Sequence, residues 1–407
     1  MDKSILRTRR NLLKLFGSLP LVSLLPTSSL AENLQALSRQ TGRRRLIILE
    51  LFGGNDALNT LIPYRDPLYR RYRPNLAISP QDWIRLSDEL AFNPSFKPLG
   101  ELYQRGELAV IPDAGYPNPS LSHFDSTAIW NTGYVDTAQR SGWAGRTIAA
   151  NRSWAAPHDA NGIVFSGSPA FLQEEGIRAL ELQDTNVLMS SDDVALRPTV
   201  QVPNSATHYI RSLIENHRNI SQRVRQKLNR PNPFERLFRS SEYGYLEPVY
   251  VQGAQLLWLI ACDVDTPVFK LGMPGFDLHG SMNELHRPLL HQVATLLMGL
   301  RRGLMDIGTW QDTLILVQSE FGRRPEENAS GGTDHGTSGV ALLLGGALSG
   351  GIYGSPSDLG KLDEAGNPYF TTDFRRIYSS IVTDFWRLPH NPLRNEGFEP
   401  LALRLSA

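Results

Sequence analysis

The sequence predicts an α/β protein with a mostly parallel, doubly wound sheet that is covered by helices. Near-continuous apolar runs at residues 46–52, 108–111 and 313–318 are typical of strands buried on both faces of a parallel sheet. Apolar residues recur at helical spacing from 285 to 304, which predicts a long amphipathic helix ending near Gly308. The run at 313–318 follows that helix directly, and such alternation of strands and helices indicates a doubly wound sandwich.

The start of the chain has the order of an export signal. Arg9 and Arg10 precede an apolar stretch at residues 15–25, and residues 29–31 offer a cleavage site of small residues. The stretch is too short to span a membrane. The paired arginines, followed by Leu-Leu-Lys, resemble the twin-arginine signal, which a receptor reads as an address. The alternative is an amphipathic helix that happens to carry arginines.

We therefore expect a twin-arginine-type signal peptide at residues 1–31 and a linker at residues 32–43. The partner of the signal would be the twin-arginine export machinery, and the mature chain would work in the periplasm. No second apolar run reaches the length of about 18 residues that spans a membrane, so we expect no membrane anchor in the mature chain.

The composition limits which partners and which cross-links we expect. The chain contains 41 Lys and Arg against 41 Asp and Glu, so no overall charge attracts nucleic acid, and we expect no nucleic-acid partner. Cys262 is the one cysteine in the sequence, which excludes an intrachain disulfide. Stability must therefore come from a buried core.

Polar side chains follow the apolar runs at the points where the strands are predicted to end. Ligands of doubly wound sheets bind beyond the carboxyl ends of the strands. Carboxylates and imidazoles gathered there are typical ligands of a divalent cation at a hydrolytic site. A serine at a helix N-terminus is a candidate nucleophile, because the free N–H groups there can hold an anion. The candidate residues are Asp56, Ser120, Ser122, His123, Asp277, His279, Glu320, Arg323, Asp334 and His335.

Each candidate also has an ordinary structural interpretation. Asp56 and Ser122 could each cap a helix, since Ser122 opens a predicted helix over residues 122–130. The Asp-His pairs could be turn residues beside surface histidines. Their shared position after apolar runs or Gly/Pro breaks favours a site, and we expect the loop at 319–336, between the predicted strands 313–318 and 340–345, to form one wall of it.

Five short motifs strengthen this interpretation. They are Gly53-Gly54-Asn55-Asp56, Pro117-Asn-Pro-Ser-Leu-Ser-His-Phe-Asp125, Asp277-Leu-His279, Ser319-Glu-Phe-Gly-Arg323 and Gly332-Thr-Asp-His-Gly336. In these motifs the chain resembles the DUF1501 family, exported bacterial proteins related to the alkaline phosphatase/sulfatase superfamily. The resemblance covers roughly residues 44–390 and implies a three-layer α/β/α sandwich.

The domain organisation that follows has two parts after the linker, and the first of them would contain an insertion. The alkaline phosphatase/sulfatase-like domain would occupy residues 44–392, and residues 393–407 would form a C-terminal tail. Residues 150–245 have the least regular pattern, and we interpret them as an insertion or cap over the sheet.

The resemblance also implies a divalent-metal site that cleaves phosphate or sulfate esters. It assigns metal binding (Ca, Zn, Mg or Mn) to Asp56, Asp277, His279, Glu320, Asp334 and His335. Arg323 would bind the anionic ester. We favour Ser122 over Ser120 as the nucleophile, because only Ser122 lies at the predicted helix N-terminus. His123 could be a general acid or base, a metal ligand, or a buried structural group.

Two departures from the superfamily pattern leave two functions open. Phe321 stands where a second ligand is expected, and no cysteine in the Pro-Ser turn can give a formylglycine. The first function is an exported metal-dependent hydrolase acting on a small anionic ester or on a sulfated or phosphorylated glycan. The second is a non-catalytic relative that binds an envelope glycan or a partner protein.

Overall fold

The computed structural model describes residues 43–182, 205–238 and 248–405. The predicted signal peptide and most of the predicted linker lie outside the described residues. Within the described ranges, no helix combines the length and the apolar character needed to cross a membrane.

The strands are short except for those at the centre of the molecule. In chain order they are β1 (Arg45–Leu51), β2 (Leu61–Ile62), β3 (Ile84–Arg85), β4 (Ala91–Phe92), β5 (Leu108–Gly115), β6 (Gly162–Val164), β7 (Ala179–Glu181), β8 (Val268–Met273), β9 (Thr313–Ser319), β10 (Gly322–Glu327), β11 (Thr333–Gly336), β12 (Gly339–Gly345), β13 (Gly351–Ile352) and β14 (Thr372–Asp373).

The central sheet has the order β13-β5-β12-β9-β1-β8-β6-β7, with β14 beside β5. Its middle strands run parallel, and Leu46 of β1 is aligned with Val268 of β8 and with Leu314 of β9. β6 and β7 continue the parallel order, whereas β12 runs antiparallel between β9 and β5. This mostly parallel α/β sheet confirms the predicted fold class.

Helices connect the strands. The described helices are α1 (Ala57–Thr60), α2 (Pro67–Tyr72), α3 (Lys97–Gln104), α4 (His123–Thr132), α5 (Trp143–Ala150), α6 (Arg152–Ala155), α7 (Ser205–Lys227), α8 (Pro248–Ala261), α9 (Met282–Ile307), α10 (Phe374–Ser380) and α11 (Pro392–Asn395).

These helices cover both faces of the sheet and complete three layers. On one face, Ile47, Leu49 and Leu51 of β1 share a core with residues of α3, α8 and α9. On the other face, Leu46 and Ile48 share a core with residues of α4, α5 and α10. Successive side chains of a strand point to opposite faces, so a strand covered on both sides is apolar throughout.

Helix α9 agrees with the predicted stripe except at its beginning. Leu290 and Leu297 are fully buried, but Leu285 is 48% exposed. The helix ends at Ile307, where Gly308 adopts φ 83° as the C-cap. Glycine suits this position because the left-handed conformation strains other residues.

Two parts of the predicted domain organisation differ from the structure. Residues 162–164 and 179–181, within the segment interpreted as an insertion or cap, are β6 and β7 of the central sheet. Strands of three residues carry too little pattern to be recognised from sequence. The predicted tail is not separate either, because Leu393 and Leu403 are buried in the core beneath α10.

Candidate metal centre

The segments that carry the candidate residues meet at the carboxyl edge of the central sheet. Residues 52–56 follow β1, residues 274–279 follow β8, and residues 320–336 follow β9 and include the β10–β11 hairpin. Residues 116–122 connect β5 to α4. Because β1, β8 and β9 are parallel neighbours, their ends bring these segments together.

Three side chains converge there, with one potential ligand atom each. These atoms of His123, Asp277 and His335 all lie within 4.8 Å of one another. His335 Nε2 is 3.2 Å from Asp277 Oδ1, and His123 Nε2 is 3.5 Å from Asp277 Oδ2. His279 adjoins them, with its Nε2 3.0 Å from Asp277 Oδ1 and 3.0 Å from His335 Nε2. Imidazoles with a carboxylate are a typical ligand set for divalent metals.

The surroundings of His335 determine which of its nitrogens faces this cluster. Its Nδ1 lies 2.9 Å from the carbonyl oxygen of Leu121, which can only accept a hydrogen bond, so Nδ1 carries a proton. In the neutral ring, Nε2 then directs its lone pair toward Asp277 and His279. A lone pair beside a carboxylate is unfavourable unless a proton or a cation lies between them.

His123 is oriented in the same way by a buried carboxylate. Its Nδ1 lies 2.7 Å from Glu320 Oε1 and donates to it. Its Nε2 is buried and has no hydrogen-bond partner among the residues that the structure describes. Buried polar atoms are almost always paired, and a histidine that ligates a metal usually donates its other N–H to a carboxylate or carbonyl. His123 therefore fits a ligand of a cation.

The carboxylate of Asp277 stays ionised in this environment. Burial raises its pKa, but hydrogen bonds from Arg323 and His335 outweigh burial and lower the pKa to about 2. The Arg323 bond, from Nη2 to Asp277 Oδ1, is 2.6 Å long. His335 can donate to Asp277 only when both of its ring nitrogens are protonated, whereas a cation would bridge the two groups without that second proton.

Glu320 lies behind His123 and not among the converging atoms. It is 2% exposed, and its Oε1 also accepts from the N–H of Gly53 at 2.8 Å. Gly53 adopts φ 117°, and a Cβ at that position would lie 2.2 Å from the backbone nitrogen of Asp277. The geometry makes Glu320 a residue that positions His123, which differs from its predicted place among the metal ligands.

Arg323 does not face an open cleft, contrary to its predicted role. Its side chain is 1% exposed. Nε donates to the Gly54 carbonyl at 2.8 Å, Nη1 to the Thr333 carbonyl at 2.7 Å, and Nη2 to Asp277. The guanidinium joins three loops and orients Asp277, so it is not placed for bidentate recognition of an ester.

Asp56 is also turned away from the cluster. It is 3% exposed and forms a paired contact with Arg73, from Oδ1 to Nη1 at 2.7 Å and from Oδ2 to Nη2 at 2.8 Å. Oδ1 accepts from the N–H of Asn59 as the N-cap of α1, and Thr333 Oγ1 donates to Oδ2. Burial raises the pKa of Asp56, but Arg73 outweighs it and the pKa is lowered. The expected ligand is thus half of a buried ion pair.

Phe321 and Asp334 contact the histidines from outside the cluster. Phe321 is 1% exposed, with its ring centroid 4.9 Å from that of His123 and 4.7 Å from that of His335. Asp334 Oδ1 lies 3.5 Å from His279 Nδ1. Phe321 therefore fixes the spacing of two rings, and Asp334 orients His279 in place of joining the three converging groups.

The two candidate nucleophiles lie on the turn before α4. Ser122 is the N-cap predicted from sequence, with its Oγ accepting from the N–H of Asp125 at 3.4 Å. Ser120 Oγ donates to Asp125 Oδ2 at 3.1 Å. Between them, Leu121 adopts φ 56° and presents its carbonyl to His335. The turn is therefore connected to the cluster through Leu121.

Comparison with known proteins gives a family match for the segment that holds most of these residues. Residues 216–381 match the family model described as "Protein of unknown function (DUF1501)". This part of the chain is similar to DUF1501 proteins. The match is shorter than the resemblance noted over residues 44–390, and no curated protein sequence matches the chain.

Three solved structures are similar to this chain at low identity. Ps i-CgsB in complex with k-i-k-neocarrahexaose is 9% identical, with a TM-score of 0.41 over 88% of this chain and 74% of that chain. The PsFucS1 sulfatase from Pseudoalteromonas sp. is 11% identical, with a TM-score of 0.36 over 81% and 68%. A protein in the alkaline phosphatase superfamily from Vibrio parahaemolyticus is 11% identical, with a TM-score of 0.30 over 80% and 71%.

The segment that matches the DUF1501 model contains Asp277, His279 and His335, whereas His123 comes from an earlier part of the chain. Sequence reasoning left three roles open for His123, and the structure places it within the cluster. Arg73 was missed altogether. It is 17 residues from Asp56, and no local pattern indicates that the two side chains pair.

Proposed function

We propose that this DUF1501 protein is a metal-dependent hydrolase of phosphate or sulfate esters. The observation that carries the proposal is the convergence of His123, Asp277 and His335. Within the described part of the chain, the buried Nε2 of His123 has no hydrogen-bond partner. Glu320 and the Leu121 carbonyl hold the Nδ1 protons of the two histidines, so both Nε2 atoms are available to a cation.

The donor set favours one of the candidate cations. Imidazole nitrogens suit Zn²⁺, whereas Ca²⁺ and Mg²⁺ prefer oxygen ligands and Mn²⁺ is commonly bound through carboxylate and water. We therefore propose Zn²⁺, held by His123, His335 and Asp277. When bound, the cation supplies Lewis-acid polarisation of the ester and a water of lowered pKa.

The other side chains around the proposed cation site have separate roles in this proposal. Arg323 keeps Asp277 ionised and oriented. The side chain of His279 is 48% exposed, and its Nε2 lies beside the cluster. His279 can thus complete the ligand set or donate a proton from Nε2 to the leaving oxygen. Asp334 orients the opposite nitrogen of that ring.

Ser122 is the proposed nucleophile, ahead of Ser120. The cap uses the Ser122 oxygen as an acceptor and leaves its O–H available, whereas the Ser120 O–H is committed to Asp125. Its position at the N-terminus of α4 places it near free N–H groups that stabilise a developing anion.

The experiment that tests the proposal combines elemental analysis with an ester panel. We expect the purified protein to bind Zn²⁺ in stoichiometric amounts and to turn over an aryl phosphate or an aryl sulfate. His123→Ala and His335→Ala should lose the metal, and His291→Ala, which changes an exposed histidine of α9, should keep it. Stoichiometric metal in both cluster variants, or none in the wild type, would overturn the proposal.

One observation favours the second candidate, a non-catalytic binder of an envelope glycan or partner protein. The buried Arg323 donates to backbone carbonyls and to Asp277, so it is not free to clamp the anionic part of an ester. Tight metal binding without turnover of any phosphate or sulfate ester would favour this candidate over the hydrolase.

We further propose that the protein is exported to the periplasm by the twin-arginine route. The support is the order of Arg9, Arg10, the short apolar stretch and the small residues at 29–31. Export of folded protein agrees with a chain whose one cysteine, Cys262, is free and buried.

A further inference from the structure

A cavity lies at the same edge of the sheet as the metal centre. Its volume is about 330 Å³, and its lining includes Phe165, Ser166, Gly167, Glu181 and Gln252. We propose that this cavity binds a sugar residue, so that the substrate is a glycan that carries the phosphate or sulfate ester. The inference rests on the proposed function, which assigns the cleavage of the ester to the metal centre.

The topology places the cavity beside the metal centre. Val164, the last residue of β6, pairs with Lys270 of β8 on one side and with Glu181 of β7 on the other. Neighbouring strands lie about 4.8 Å apart. The chain that leaves β8 reaches Asp277, and the chain that leaves β6 forms the cavity, so the two places occupy adjacent strand ends.

Phe52 and Gly53 connect the cavity with the metal centre. Gly167 adopts φ 83°, and a Cβ there would lie 2.7 Å from Cζ of Phe52. The next residue, Gly53, donates its N–H to Glu320 and abuts the backbone of Asp277. A ligand that reached from the cavity to the cluster would pass along this segment.

The lining of the cavity includes two side chains that can accept hydrogen bonds, those of Gln252 and Glu181. Gln252 Oε1 is buried and has no hydrogen-bond partner in the described ranges, and an atom of this kind requires a donor. Glu181 is exposed at the end of β7 and adds a carboxylate, which disfavours an anionic ligand. Ser166 can donate or accept.

A sugar residue meets these requirements. Its hydroxyls would donate to Gln252 and Glu181, which both line the cavity. The volume lies at the lower end of the range for small-molecule sites, which suits one sugar residue and not a longer oligosaccharide. The ester would therefore be a substituent on or next to the bound sugar.

The test measures binding of a panel of neutral disaccharides to the full chain by saturation-transfer NMR, followed by titration calorimetry of those that bind. We expect at least one disaccharide to bind. Gln252→Ala and the milder Glu181→Gln should each weaken its binding by about three- to tenfold, as for the loss of one hydrogen bond. Gln104→Ala, at an exposed position ending α3, should leave binding unchanged.

A metal-centre variant separates this inference from the proposed function. His335→Ala should lose metal while still binding the neutral disaccharide, because the cavity does not include that residue. Failure of every disaccharide to bind would overturn the inference, as would binding of spermidine in place of sugars or wild-type affinity in both cavity variants. Sugar binding without metal or ester turnover would contradict the proposed function alone.

Discussion

Glu320 Oε1 lies 2.7 Å from His123 Nδ1, and it also accepts the N–H of Gly53. This buried carboxylate thus connects the loop after β1 to the first residue of α4. It determines which nitrogen of His123 is protonated, and therefore which nitrogen can bind a cation.

Glu320→Gln should weaken metal binding without removing a ligand. The amide cannot match the carboxylate as an acceptor of the His123 proton, and loss of such a partner typically costs about 10- to 100-fold in metal affinity. Competition titration with a chelator would measure the change. Glu326→Gln, an exposed change on β10, is the matched control and should keep the wild-type affinity. Equal metal affinities of the two variants would contradict the positioning role of Glu320.

Asp56→Ala should destabilise the fold and spare the metal. Removing one partner of a buried ion pair leaves Arg73 uncompensated, at a cost of about 3–5 kcal/mol in the free energy of unfolding. Denaturant unfolding and elemental analysis of the same sample would check both expectations. Loss of bound metal with an unchanged free energy of unfolding would instead show that Asp56 is a metal ligand.

His286 should make stability depend on pH between about pH 6.5 and 4. Burial lowers its pKa to about 4, and its Nε2 lies 3.0 Å from Asn55 Oδ1. The unfolded chain therefore binds more protons in this window, and the folded state loses stability as the pH falls through it. A shift of this size corresponds to roughly 3 kcal/mol.

The measurement is the free energy of unfolding at a series of pH values. His286→Gln should flatten the dependence between about pH 6.5 and 4, whereas His291→Gln on the exposed side of α9 should retain it. The same slope in wild type and His286→Gln would show that other groups cause the loss.

Ser122→Ala should abolish turnover of an ester that the wild type hydrolyses, with bound metal unchanged. Loss of the N-cap should lower stability by about 1 kcal/mol, which thermal unfolding would detect. Ser120→Ala, two residues earlier on the same turn, should retain activity. Full activity in Ser122→Ala would show that another group or a water molecule is the nucleophile.

Replacing Arg9 and Arg10 by lysine should leave the precursor in the cytoplasm. Lysine keeps the positive charge at both positions, so export that needed only this charge would continue. Export that depends on recognition of the two arginines would stop. Cell fractionation with detection of the precursor and the mature chain would decide. Unchanged export of the lysine variant would exclude this route.

The local sequence pattern was sufficient to predict elements whose features depend on residues close together in the chain. Residues 46–52 and 313–318 read as buried strands because both faces of β1 and β9 are covered. The stripe of α9 and the N-cap at Ser122 were also visible in the sequence, since each depends on residues within a few positions of one another. The position of the candidate residues at one edge followed from the parallel order of the strands.

Tertiary structure decided which of those residues face one another. Glu320 has a carboxylate that could bind a metal, and Arg323 has a guanidinium that could bind an anion. Each side chain is instead buried against loops that are distant in sequence. Asp56 has an equally suitable carboxylate, but Arg73 occupies it. A side chain's role depends on contacts of about 3 Å between separate loops, and such contacts are set by how the whole sheet packs and not by any period along the chain.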